Sequence, residues 1–200
     1  EVIDINNYNS PKFYEKKNKV DELSEKSGTY YVSGADVYVR TISGNEPNDN
    51  ILLNMINNAL ELNEFEHVYM ENIKLTNTFV FANNEVEGKI YAKKCDFMFG
   101  TNKDALQING NAYFELQSCR AMYGERDGFN YHIKNGKLPK GFELDCEGAF
   151  NGRDGADQNN GSTMHDGGKI MRLKGEYHHN HGPNVIDVND GTQSLNIGVH

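Results

Sequence analysis

Tryptophan is absent from the 200 residues, and only four prolines and three cysteines occur. The first absence removes the strongest sugar-stacking side chain and leaves Tyr and Phe for that role. No stretch approaches the roughly 18 apolar residues of a membrane-spanning helix, and no secretory signal pattern is found. Basic residues are too few to form a stripe: the formal charge is -9 and the pI about 5.2, which argues against a nucleic-acid partner. No Cys-x-x-Cys pair and no H-E-x-x-H motif occurs, so neither common zinc signature is present.

The three cysteines instead mark a repeat. Reading forward from Cys95, Cys119 and Cys146, an aspartate follows each after eight or nine positions: Asp104, Asp127 and Asp154. An apolar strand start precedes each cysteine, and the anchors Val68, Ile90, Phe114, Phe142 and Met171 are 22, 24, 28 and 29 residues apart, with Gly175 in the fourth cysteine slot. Such periods indicate stacked arrays. Phe114-Glu-Leu-Gln and Phe142-Glu-Leu-Asp alternate apolar and polar residues as strands do. Twenty glycines and many Asn-Gly and Asp-Gly pairs break any helical period, and the leucine density of a leucine-rich repeat is missing. The expected fold is all-β, a parallel β-solenoid of about six to eight coils, with the cysteines as an inward ladder of small apolar groups.

The rungs Cys119–Gly128 and Cys146–Gly155 resemble those of the right-handed parallel β-helix of the pectate-lyase-like superfamily, in particular polysaccharide C5-epimerases and NosD-type proteins. The resemblance covers roughly residues 65 to 200. Gly128-Phe-Asn-Tyr-His132 is similar to the epimerase Gly-Phe-Asp-Pro-His site, with His132 on the family histidine. Asn130 stands at its aspartate, Tyr131 at its proline and Asp127 at its tyrosine.

Residues 1–50 are expected to form an N-terminal cap to one continuous domain, and residues 51–200 its coils. Ser10-Pro11 and the spacing of Phe13, Val20 and Leu23 predict a short capping helix ending at Gly28. Two strands follow, in Thr29–Gly34 and Val37–Ile42, and Ile51–Leu62 is expected to be irregular with strands. The chain opens on Glu1 and stops in the strand-like run Leu195–His200, so a processed segment of a longer coil is expected.

Three groups of residues are candidates for chemistry. Arg126-Asp127 and Arg153-Asp154 would stack about 4.8 Å apart if the repeat register holds, pairing carboxylates for acid catalysis or for calcium. The alternative is that Asp-Gly simply builds turns. His132 and Asn130, with Asp157 and Asn159 one coil later, would bind or deprotonate a sugar, or be ordinary polar groups. His165-Asp166 and His178-His179-Asn180-His181 form the third group: strand alternation would put His179 and His181 on one face, where Asp187 could complete a metal site, or the strand is simply solvated.

Tyr123, Tyr131, Tyr177, Lys169 and Arg172 complete the expected sugar-binding set. The expected function is binding or processing of a polysaccharide, by lyase, hydrolase or C5-epimerase chemistry, outside the cell, at its surface or on a virion. The alternative is a non-catalytic adhesion or phage tail-spike segment, which could assemble as a homotrimer.

Overall fold

The computed structural model describes residues 1–6, 10–34, 36–46, 51–53, 60–156 and 158–200. The chain divides into two compact units, Glu1–Met55 and Ile56–His200.

In the first unit, Val2–Asp4 pairs antiparallel with both Lys12–Phe13 and Ile51–Leu53. Glu15–Lys16 lies parallel to Thr29–Ser33, which forms a hairpin with Asp36–Arg40. Val2, Tyr14 and Tyr30 make its core. The predicted capping helix is not formed: the only helical piece among the described residues is a 3-10 turn, Val20–Ser24. Phe13 and Val20 are 37% and 46% exposed, so the spaced apolar residues have no common buried face to hold a helix together. Strand pairing takes the backbone of Glu15–Lys16, and Lys19 gives the turn no side-chain cap. Ile51–Leu53 is the last described strand of this unit.

The second unit is a parallel β-solenoid. Lys74–Thr76, Asp96–Met98, Arg120–Met122, Glu147–Ala149 and Glu176–His178 stack as one five-stranded parallel sheet. The other walls of each coil join a ten-stranded sheet, in which Phe79–Lys93 and Leu106–Gln117 run through a bend and later coils split into two strands. Each coil turns into the five-stranded sheet through a left-handed residue: Asn72, Lys94, Ser118, Asp145 and Lys174 have φ between 50° and 56°. Each leaves it through another, Asn77, Phe99, Tyr123, Phe150 and His179.

The cysteine ladder is present. Arg120, Glu147 and Glu176 donate backbone N–H bonds to the carbonyls of Cys95, Cys119 and Cys146, and all three thiols are buried and free. The anchors follow the expected register only in part. Val68, Ile90 and Phe114 are aligned, but Phe114 pairs with Gly141 and then Ile170, so Phe142 and Met171 point outward. A one-residue slip reverses the face of every side chain in a strand. Gly141 is needed there: a Cβ would lie 2.1 Å from the Phe114 carbonyl oxygen and 2.6 Å from its ring, against which Tyr131 stacks at 4.3 Å.

The slip also places polar residues inside. The inward file continues from Met70, Ala92 and Leu116 to Glu143 and Arg172, both 0% exposed. Glu143 accepts hydrogen bonds from Tyr131 and Ser162 at 2.7 Å each and from the Tyr177 hydroxyl. Arg172 donates to Ser162 at 2.8 Å and forms an ion pair with Asp187 at 3.0 Å. The later coils thus hold a hydrogen-bonded ionic interior where the earlier ones are apolar.

Candidate functional site

The stretch before each strand of the ten-stranded sheet brings Asp104 and Asp127 into one file. Asp127 donates its backbone N–H to Asp104 Oδ1 at 2.9 Å, and Leu106 pairs with Phe129 two residues on. Asp154 does not continue the file. From Met122 to Phe129 the coil advances seven residues, whereas from the equivalent Ala149 to Ser162 it advances thirteen. The extra residues form a loop, and Asn160 occupies the slot, its N–H donating to Asp127 Oδ1 at 2.6 Å.

The expected stacking of Arg126-Asp127 on Arg153-Asp154 is therefore corrected. Arg153 and Asp154 align with Gly124 and Glu125 through backbone bonds, and the Arg153 guanidinium donates to the carbonyls of Tyr123 and Gly100 at 2.9 Å each. Asp154 is exposed and closes its own turn, accepting from Ala156 N at 2.9 Å and from the Asn159 amide. The turn alternative is thus correct for Asp154, while Asp127 bonds the backbone of the next coil instead.

Side-chain alternation sends Phe129 and Tyr131 inward and Asn130 and His132 outward. With the carboxylate file they line a cleft of ≈ 370 Å³, whose walls include Gln107, Arg126, Asp154, Asn159 and His165. Asn130 Nδ2 donates to Asp104 Oδ2 at 3.0 Å, and Gln107 donates to the same oxygen. The carbonyl oxygens of Asn130 and Asn160, both buried, have no hydrogen-bond partner. His132 and His165, on successive coils, stack with ring centres 4.0 Å apart.

Burial sets the electrostatics. It pushes Asp104 up against the pull of its three N–H donors. Burial first, and the neighbouring Asp104 second, raise Asp127 to about 7 against the Asn160 N–H. Burial lowers His132, and lowers His165 to about 4, so both rings are neutral at pH 7.

The cleft gathers Asp127, His132, Asp154, Arg126, Asn130 and Asn159 from the expected set. Tyr131, Tyr177 and Arg172 are corrected: all three are 0% exposed inside the coil, where they satisfy Glu143 and Asp187. Tyr123 is 6% exposed, stacked between Phe99 and Phe150. Lys169 lines a different groove with Tyr113, Phe142 and Met171. Asp157 lies outside the described residues.

The expected metal triad of His179, His181 and Asp187 is also corrected. His179 has φ 55°, which ends strand alternation at His178, and its ring stacks on Phe150. Asp187 pairs with Arg172. Among the described residues the one metal-competent cluster is His132, His165 and Asp166. In the sequence His132 and His165-Asp166 fall in different groups, 33 residues apart, so their pairing is not visible there. The signal in the sequence is the polar-apolar-His order common to Asn130-Tyr131-His132 and Thr163-Met164-His165.

No family model, curated protein or solved structure matches the chain. No helix among the described residues is long and apolar enough to cross a membrane.

Proposed function

We propose that the cleft binds an extended glycan outside the cell, at its surface or on a virion, and cleaves it, with Asp127 as the proton donor to the leaving oxygen. The observation that carries this reading is the placement of Asp127 directly after Asp104 at the floor of an open cleft. Adjacent buried carboxyls cannot both ionise readily, so one proton is retained near neutral pH. Asp154, exposed on the wall, is the second carboxylate that glycoside hydrolysis requires. Gln107, Arg126 and Asn159, also on the cleft lining, supply polar groups of the kind that bind sugar hydroxyls.

The test is a glycan array followed by reducing-end release on the glycans that bind. Asp127→Asn should reduce turnover at least about 100-fold while binding persists. New unsaturated-uronate absorbance would instead indicate lyase chemistry, and tight binding without any product would eliminate catalysis.

A second reading, a non-catalytic adhesion or tail-spike segment, is favoured by one observation. Tyr69, Tyr91, Glu115, Phe142, Met171 and Leu195 form one outward file, in which Tyr69, Met171 and Leu195 are 68%, 42% and 49% exposed. Such a stripe suits side-by-side packing of copies, as in a homotrimer. Sedimentation over a concentration series tests it: a monomer throughout would discard the assembly reading.

A further inference from the structure

The stacked histidines at one end of the cleft belong to neither the carboxylate pair nor the interior network. His132 ends the strand Phe129–His132, and His165 follows Ser162–Met164 in the next coil, so strand pairing sets the two rings on the same outward face. Asp166 comes next, in the left-handed conformation at φ 61°, which turns its carboxylate back toward the pair. Asn189 donates to Asp166 Oδ1, and Oδ2 lies 3.9 Å from His132 Nδ1.

One ligand atom from each of the three lies within 4.8 Å of the others. Ligand atoms on a single tetrahedral ion are about 3.3 Å apart, so modest side-chain rotation would close the set. His132 and Asp166 are partly exposed, at 34% and 26%, which leaves room for that rotation. A second observation points to a ligand: His165 Nε2 is buried and has no hydrogen-bond partner. An orphaned imidazole nitrogen costs stability unless something binds it.

We propose that His132, His165 and Asp166 bind a divalent transition-metal ion. Two imidazoles and one carboxylate match zinc, cobalt or iron(II) rather than calcium, which takes oxygen ligands. Three protein ligands leave coordination positions open, as in metal sites that bind a substrate or water rather than purely structural ones. The site shares the wall of the cleft, but its metal binding is measured without a sugar, so its failure is distinguishable from failure of the glycan reading.

The experiment is titration of the full chain with Co2+ followed by visible absorption, and with Zn2+ followed by calorimetry, both at neutral pH. One equivalent of either metal should bind, with tetrahedral or five-coordinate cobalt bands. His165→Ala and Asp166→Asn should each weaken binding roughly tenfold or more, while His179→Ala and His181→Ala leave it unchanged. Asn is tolerated in left-handed turns, so the Asp166 variant remains informative if the His165 variant misfolds. No binding, unaltered binding in the Asp166 variant, or loss in the His179 or His181 variants would each overturn the proposal.

Discussion

Asp127 follows Asp104 by one coil and donates its backbone N–H to the Asp104 carboxylate at 2.9 Å. The contact joins successive coils in a region where both side chains are buried, and the Asp104 charge adds to the effect of burial on Asp127. Each therefore favours its protonated form more in the folded chain than in the unfolded one.

The consequence for stability has a definite sign. Asp127 titrates at about 7 when folded and at about 3.9 when unfolded. Its contribution is fully present below the unfolded value and is lost as pH rises through the folded one. Over about pH 4 to pH 7 the depressed His132 and His165 act in the opposite direction, so the readout is the difference between two chains: without the falling Asp127 contribution, the urea midpoint of Asp127→Asn should climb more steeply with pH than that of the parent. An unchanged slope in the variant would refute the assignment.

Glu143 is the acceptor for three hydroxyls inside the coil. Glu143→Leu would leave Tyr131, Tyr177 and Ser162 without it, at a cost of about 3 kcal/mol or more. Glu143→Gln keeps an acceptor and should cost clearly less. Equilibrium denaturation of both variants decides the matter, and a neutral Leu variant would contradict the network.

Gly141 has no room for a side chain, because its Cβ would collide with the Phe114 carbonyl 2.1 Å away. Gly141→Ala should destabilise the solenoid by roughly 1–3 kcal/mol, as overpacking does. Gly136, with nothing within 4 Å of its Cβ, lies in open space but at φ 74°. Its Ala variant isolates the cost of backbone strain without a clash, and thermal melts of the two should separate these causes.

The thiols should be inert while the chain is folded. Burial raises Cys95 and Cys146, and although hydrogen bonding with Cys146 lowers Cys119, that sulfur is itself 0% exposed. A chromogenic disulfide reagent should find no reactive thiol in native protein and three after unfolding. Rapid reaction of one thiol before unfolding would count against the ladder.

Much of the solenoid was legible from the cysteines alone. Counting back five residues from Cys95 and Cys119 reaches Ile90 and Phe114, and the same count from Cys146 reaches Gly141, not Phe142. The likeness of Phe142-Glu-Leu to Phe114-Glu-Leu hid this, because residue type suggested one register and the ladder another. Buried Glu143 and Arg172 were illegible for the same reason: side-chain polarity alone assigns them to the surface.

The coil repeat and the inward cysteines could be read from residue order alone, since these depend on local period and on small side chains at fixed intervals. That Asn160 rather than Asp154 follows Asp127, and that His165 meets His132, emerges only from the stacking of the coils. Backbone hydrogen bonds between coils set that register, and a loop can lengthen by several residues without disturbing them.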